Sequence, residues 1–244
     1  MKFGIGQPVR RHEDLRLITG QGRYTDDIVL PRMAHAYVLR SPVAHARIKR
    51  MDAAAARRMP GVLLVATGED IRADGLGDVP CTVPLMSRDG KPRHDTPRPV
   101  LALDRVRHVG QPVALIVAGT LAAARDAAEA IQVDYEQLAA VTEVKDAVAP
   151  GAAQLFDHIP GNLVFDWDND MGDAKATEAA FAKAARVVAL DLTNNRIVVN
   201  SMEPRNAIGD YDQATGRSTL YTATQGPHFV RDPRADIVLK TPKE

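Results

Sequence analysis

Gln225 and Gly226, in the run Thr224-Gln225-Gly226-Pro227-His228, are the residues whose types and spacing point most directly at a ligand. A carboxamide donates and accepts hydrogen bonds without carrying charge. This one stands between a strand-like run and a helix start, where side chains commonly face a ligand rather than a core. The competing reading is an amide that bonds the backbone of its own turn. Upstream, Met202-Glu203-Pro204-Arg205 closes a run that begins at Asn195-Arg196-Ile197. A carboxylate beside a guanidinium there could take part in proton transfer. It could equally be a structural ion pair or a cap on backbone amides.

Other apparent sites fail on their mechanics. Gly20-Gln21-Gly22-Arg23-Tyr24-Thr25 mimics a dinucleotide loop, yet Thr25 stands where the third glycine belongs and no apolar strand precedes it. Asp166-Trp167-Asp168-Asn169-Asp170-Met171-Gly172 mimics a calcium loop. Its glycine comes one place late, however, and Thr177 occupies the place of the bidentate glutamate. The expectation is a solvated acidic turn leading into a helix. The seven histidines, at positions 12, 35, 45, 94, 108, 158 and 228, include no i, i+4 pair, the spacing that puts two imidazoles on one helix face. Neither a Gly-x-Ser-x-Gly elbow nor a Walker loop occurs. Cys81 is the only cysteine, which excludes an internal disulfide and a thiolate cluster for zinc or iron–sulfur. It reads as an inert thiol in a polar loop.

Thirty-one basic residues balance thirty-one acidic ones, so no net field gathers phosphate backbones or anionic lipid. Nucleic acid is therefore not an expected partner. The amino terminus has no apolar core for a signal peptide, and no stretch approaches the ~20 apolar residues of a membrane span. Cytoplasmic residence is the expectation.

The elements that must position these residues follow from periodicity. Residues 33–40 and 46–51 have strand character. Asp52 can cap a helix over 53–58, Pro60-Gly61 stops it, and the apolar run 62–66 reads as a buried strand, completing a unit of β-α-β type. A second such unit runs from a strand at 112–118 through a helix at 121–130, capped by Thr120, to a strand at 131–136. A long Gly- and Pro-rich loop separates the two units. Residues 147–153 are the candidate linker, with a domain boundary near Lys145 that divides 1–145 from 146–244. Beyond it the pattern predicts a strand at 163–167, a helix opened by Asp173, and strands at 187–192, 197–200, 207–211 and 218–223. Gly216 suits a positive φ in the last turn.

Three ordered sets of blocks carry a resemblance. The first is Gly20-x-Gly22-x-Tyr24-x-x-Asp27, Leu30-Pro31-x-Met33-x-His35-Ala36 and Arg40-Ser41-Pro42-x-Ala44-His45-Ala46-Arg47-Ile48. The second is Val109-Gly110-Gln111-Pro112-Val113-Ala114 with Val133-Asp134-Tyr135-Glu136. The third is Met202-Glu203-Pro204-Arg205 with Thr224-Gln225-x-Pro227-His228. From Gly6 to Ala235 the chain resembles the beginning of the large, molybdenum-binding subunit of the xanthine dehydrogenase, aldehyde oxidase and aerobic carbon monoxide dehydrogenase family.

The resemblance implies an α+β chain, with an α/β hammerhead domain followed by the beginning of a mixed α/β molybdopterin-binding domain. Enzymes of this kind hydroxylate aldehydes, purines or N-heterocycles, or oxidise carbon monoxide, with oxygen from water. It implies Gln225 and Gly226 as cofactor-binding residues, Gln225 hydrogen-bonding an oxygen ligand of molybdenum, and no catalytic residue or metal ligand in this chain. The cofactor it implies is molybdopterin, in its cytosine dinucleotide form. Iron–sulfur clusters and FAD would lie on small and medium partner subunits, with a carboxyl-terminal molybdopterin segment as a further partner and a homo-oligomer as an option. The family's glycine-rich run after the Gln-x-Pro-His block and its terminal glutamate have no counterpart here, so the chain alone is expected to be inactive. The alternative is a non-catalytic remnant or assembly module of a truncated or split gene. Pro233 departs from the family's helix, implying either a helix that starts at Pro233 with Asp232 as its cap or a drifted final segment.

Overall fold

Where a helix lies between two strands the chain passes from one sheet to another, and every strand pairing is antiparallel. The structure is a computed structural model that describes residues 6, 8, 10–81, 83–195 and 197–241. Readings that fall on residues 1–5, 7, 9, 82, 196 and 242–244 lie outside the described residues. In order the elements are α1 (Asp14–Ile18), a 3-10 turn (Thr25–Asp27), β1 (His35–Arg40), β2 (Ala46–Asp52), α2 (Ala54–Arg57), β3 (Val62–Thr67) and α3 (Gly68–Ala73). There follow β4 (Arg105–Val106), β5 (Pro112–Ala118), α4 (Leu121–Glu129), β6 (Gln132–Gln137), α5 (Val144–Ala147), a 3-10 turn (Pro160–Asn162), α6 (Ala174–Lys183), β7 (Ile208–Asp212), β8 (Arg217–Tyr221) and α7 (Pro227–Pro233). A π-helical turn (Arg234–Leu239) continues α7. These elements form two compact units, one made of Ala34–Asn195 with His228–Lys243, the other of Met1–Met33 with Arg196–Pro227.

In the first of these units, one three-stranded sheet has the order β1-β5-β3 and the other β4-β2-β6. The two β-α-β readings thus find their elements but not their pairing, because β2 and β3, and likewise β5 and β6, join different sheets. Hydrophobic period shows that a face is buried, not which neighbour buries it. Thr120 accepts a hydrogen bond from Ala123 N at 3.1 Å and starts α4 as the sequence predicts. The alanines Ala124, Ala127 and Ala128 of α4 are buried with Ala114, Ile116 and Ala118 of β5 and Val65 of β3. Methyl side chains on that helix face let its backbone approach the sheet closely, so the core is dense but made of small groups. A second cluster, Ala46, Ala102, Val106 and Val113, joins the other sheet to the start of β5.

Close approach explains two glycines. A Cβ on Gly68 would overlap the carbonyl of Ala102, and one on Gly77 would overlap that of Ile237. Gly77 N donates to Val238 O at 2.9 Å and Lys240 Nζ to Gly75 O at 2.7 Å, seating the π-helical turn on the 75–77 loop. Pro233 does not start the helix: it is the last residue of α7, and the π-helical turn follows it directly. With φ −63 and ψ −33 it fits helical backbone, and the turn that follows it widens to the π type.

The candidate linker at residues 147–153 is held by hydrogen bonds at both its ends. Asn162 Nδ2 donates to Ala147 O and Ala153 O at 2.9 Å each, Arg107 Nε to Leu155 O at 3.0 Å, and the Arg107 guanidinium lies 4.6 Å from the Phe156 ring centroid. The polar groups that bind the connection, Asn162 and Arg107, lie outside it, so its own composition does not show them.

Three predicted strands are absent. Residues 163–167 instead lie along the 87–94 loop, with His94 N donating to Val164 O and Arg88 N to Asp166 O, both at 2.8 Å. Residues 187–192 and the described residues of 197–200 belong to no strand, and their apolar side chains face solvent. Asp173 does open α6, accepting from Ala176 N at 2.9 Å. β7 and β8 form the predicted hairpin, with Gly216 at φ +73.

Candidate functional site

Gln225 sits in the loop that joins β8 to α7, as the order of strand and helix signals implies, and it is exposed. The hairpin beneath it is well specified. Asp212 Oδ1 accepts from Ala214 N at 2.9 Å and Oδ2 from Thr215 Oγ1 at 2.7 Å. These bonds, the threonine's first, hold the Asp212 carboxyl below its ordinary pKa. Thr222 Oγ1 donates to Asn206 O at 2.9 Å and ties the strand leaving the hairpin to the one entering it. Thr224 Oγ1 then accepts from Gly226 N at 3.2 Å, so a hydroxyl closes the turn. The Gln225 carboxamide has no hydrogen-bond partner among the described residues. An amide serving its own turn is not what the geometry holds.

Glu203 takes the backbone-capping role. Its Oε1 accepts from Thr25 N at 3.2 Å, across a sequence separation of 178. Thr25 is buried and begins a 3-10 turn, in which Asp27 Oδ2 accepts from Tyr24 N at 2.8 Å. The Gly20 to Asp27 block and the Met202 to Arg205 block, distant in sequence, thus meet in one unit through Glu203. Replacing Glu203 with Ala leaves the buried Thr25 amide without its acceptor, a loss of about 1–3 kcal/mol. The expected result is faster amide exchange at Thr25. Glu203→Gln keeps an oxygen in place and should restore the protection. Equal exchange in the Ala variant and the parent would remove the tether from the account.

Sequence reasoning missed Asn206. Both of its side-chain polar atoms are buried without a partner among the described residues, a state that a water or a bound group normally relieves. The one signal for it was a carboxamide placed just before a strand. In the acidic turn, Asp166 and Asp168 accept from Arg88 at 3.0 and 3.2 Å, so the charge of a guanidinium balances them. Among the described residues no group of three His, Cys, Asp or Glu side chains could hold a metal ion. A cleft of about 350 Å³ is lined by Ser87, Asp89, Lys91, His94 and residues 163–166 and does not include Gln225. No helix among the described residues is long and apolar enough to cross a membrane.

Known proteins were compared with the chain. Residues 19–139 match the family described as aldehyde oxidase and xanthine dehydrogenase, a/b hammerhead domain, and residues 155–244 match the molybdopterin cofactor-binding domain. The chain is 35% identical to the nicotine 6-hydroxylase large subunit of Paenarthrobacter nicotinovorans, over 93% of this chain and 27% of that one. It is 34% identical to the carbon monoxide dehydrogenase large chain of Hydrogenophaga pseudoflava, over 90% of this chain and 27% of that one. The crystal structure of quinoline 2-oxidoreductase from Pseudomonas putida 86 superposes with a TM-score of 0.84 and 38% identity, covering 100% of this chain and 30% of that one. The 244 residues thus span between a quarter and a third of the relatives' length. The ordered blocks, the fold and the two adjoining domain matches agree: the chain belongs to the molybdenum hydroxylase large-subunit family of xanthine dehydrogenase, aldehyde oxidase and carbon monoxide dehydrogenase, over a hammerhead domain and the beginning of a molybdopterin-binding domain.

Proposed function

We propose that this chain forms one wall of a molybdopterin site in an oxidoreductase that hydroxylates an aldehyde, a purine or an N-heterocycle, or oxidises carbon monoxide. The observation that carries the reading is Gln225: an exposed carboxamide without a partner among the described residues, on the loop after β8, inside the region matched by the molybdopterin cofactor-binding domain. Its donor set fits one contact to an oxygen-rich cofactor and does not by itself enclose one. When bound, the molybdenum cofactor supplies oxygen transfer from water and takes up two electrons. This chain's part is to orient it, with the Gln225 amide as a neutral donor that leaves the charge of the site unchanged. Gly226 backs that contact without a side chain, its own amide being held by Thr224.

The cofactor is read as the cytosine dinucleotide form, and the protein as cytoplasmic. A small iron–sulfur subunit and a medium FAD subunit would carry electrons away, and the functional division lies near Lys145. One relative is named as a subunit of a 6-hydroxypseudooxynicotine dehydrogenase complex, which supports separate partner chains.

A second reading, an assembly module without catalysis, is favoured by the concentration of buried residues in the hammerhead part. Turnover separates the two. The native assembly recovered through a tag on this chain should reduce an artificial electron acceptor with at least one substrate of the four classes, while the isolated chain is silent. An assembly silent with all four classes would leave the module reading standing.

A further inference from the structure

β3 ends the β1-β5-β3 sheet, with β5 on one side and no strand among the described residues on the other. Its residues, Val62-Leu63-Leu64-Val65-Ala66-Thr67, include neither a charge nor a proline, two of the devices that keep a free edge from adding a strand. Leu63 and Leu64 are 67% and 52% exposed beside that edge. A strand of this composition is a template for pairing. Val65 and Thr67 stand two places apart, so their peptide groups point the same way. Both are occupied from the helices that flank the strand. The guanidinium of Arg57, the last residue of α2, donates to Val65 O from Nε at 3.4 Å and from Nη2 at 3.3 Å. Asp70 Oδ2, on α3, accepts from Thr67 N and Thr67 Oγ1 at 2.8 Å each. Arg57 Nη2 also donates to that same Asp70 oxygen at 2.9 Å, which joins the two side chains. A donor on one carbonyl and an acceptor on the amide two residues later are what the backbone of a neighbouring strand would offer. Capping of α3 accounts for the Asp70 bonds. It does not account for a guanidinium laid on Val65 O.

We propose that Arg57, seated by Asp70, is a plug on the free edge of the hammerhead sheet, and that the strand it keeps out is β3 of a second copy of this chain. A second copy fits because the strand complements itself. Antiparallel pairing about a two-fold axis sets the Leu63-Leu64 pair of one copy against that of the other. The same pairing brings the exposed Arg58, before one strand, toward the exposed Glu69, after the other. The plug is a property of the hammerhead part alone and does not depend on the molybdopterin reading.

The test is the mass of the purified chain in solution over a concentration series, for the parent, Arg57→Ala and Arg57→Lys, with hydrogen exchange read over residues 63–65. The Arg57 side chain is about half exposed, so Arg57→Ala should keep the parent's melting temperature. Its mass should nevertheless climb with concentration toward about twofold that of the parent, as a closed dimer requires. Exchange over 63–65 should slow by about 10-fold across the same series. The parent should show no concentration dependence at 63–65, and neither should Arg57→Lys, which keeps a donor for Val65 O and a cation for Asp70. Adding Leu64→Lys to Arg57→Ala puts a charge on the edge and should return the parent's mass. Equal masses for Arg57→Ala and the parent would overturn the proposal. So would a higher mass without slower exchange at 63–65, or association that survives Leu64→Lys.

Discussion

Replacing Ile116 with Ala is expected to lower the stability of the hammerhead core by about 3 kcal/mol, within the range of Ile→Ala losses at buried sites. Ile116 is fully buried on β5, the central strand of its sheet, and is the largest of the fully buried side chains in its cluster. Around it stand Ala114, Ala118, Ala124, Ala127 and Ala128, whose methyl groups cannot swing into a vacated space. Collapse would require α4 itself to move toward the sheet, against the backbone pairing of β5 on both sides. The cavity therefore persists, and its cost adds to the lost transfer energy. In a domain of this size the loss corresponds to a fall in melting temperature of roughly 6–12 °C. A shift in denaturant midpoint with an unchanged slope would show that stability and not the denatured state had changed. Leu63 is the control: it is 67% exposed on an edge strand, so Leu63→Ala should stay within about 0.5 kcal/mol of the parent. Equal effects at the two positions would mean that α4 does not pack on this sheet as described.

Replacing Gln225 with Ala should leave the isolated chain as stable as the parent and lower turnover or cofactor retention in the native assembly by about 10–100-fold, the usual scale for a group that orients a metal site without ligating it. The side chain is exposed and supports nothing in its own unit, so stability has no reason to change. Gln225→Glu is the sharper variant, because a carboxylate cannot donate the hydrogen bond and brings a negative charge toward an anionic cofactor. It should lose at least as much as the alanine variant despite its near-identical shape. If both variants retain full turnover and cofactor, Gln225 is a surface residue and the wall has another anchor.

Local signals were legible in the sequence wherever the cause lies within a few residues. Thr120 and Asp173 cap their helices through amides three places on, and the β7–β8 hairpin turns where Gly216 permits a positive φ. Long-range causes were not legible. Nothing near Glu203 announces Thr25 as its partner, and nothing near Ala147 announces that Asn162 will hold it. Sheet membership failed for the same reason, since β2 and β3 look like consecutive partners until β5 takes one and β6 the other. The predicted strand at 187–192 is a different case. The pattern there records a buried face, and the described residues contain nothing that buries it. At the candidate site, the Gln-x-Pro-His block located the loop, while the hydroxyl that closes its turn and so frees the carboxamide became visible only in three dimensions.

The claim that this chain is one wall of a molybdopterin site is tested most directly by measuring molybdenum and pterin in the native assembly recovered through a tag on the chain. The account predicts both, in amounts close to the amount of this chain and reduced together by Gln225→Ala. An intact assembly that contains neither would contradict it.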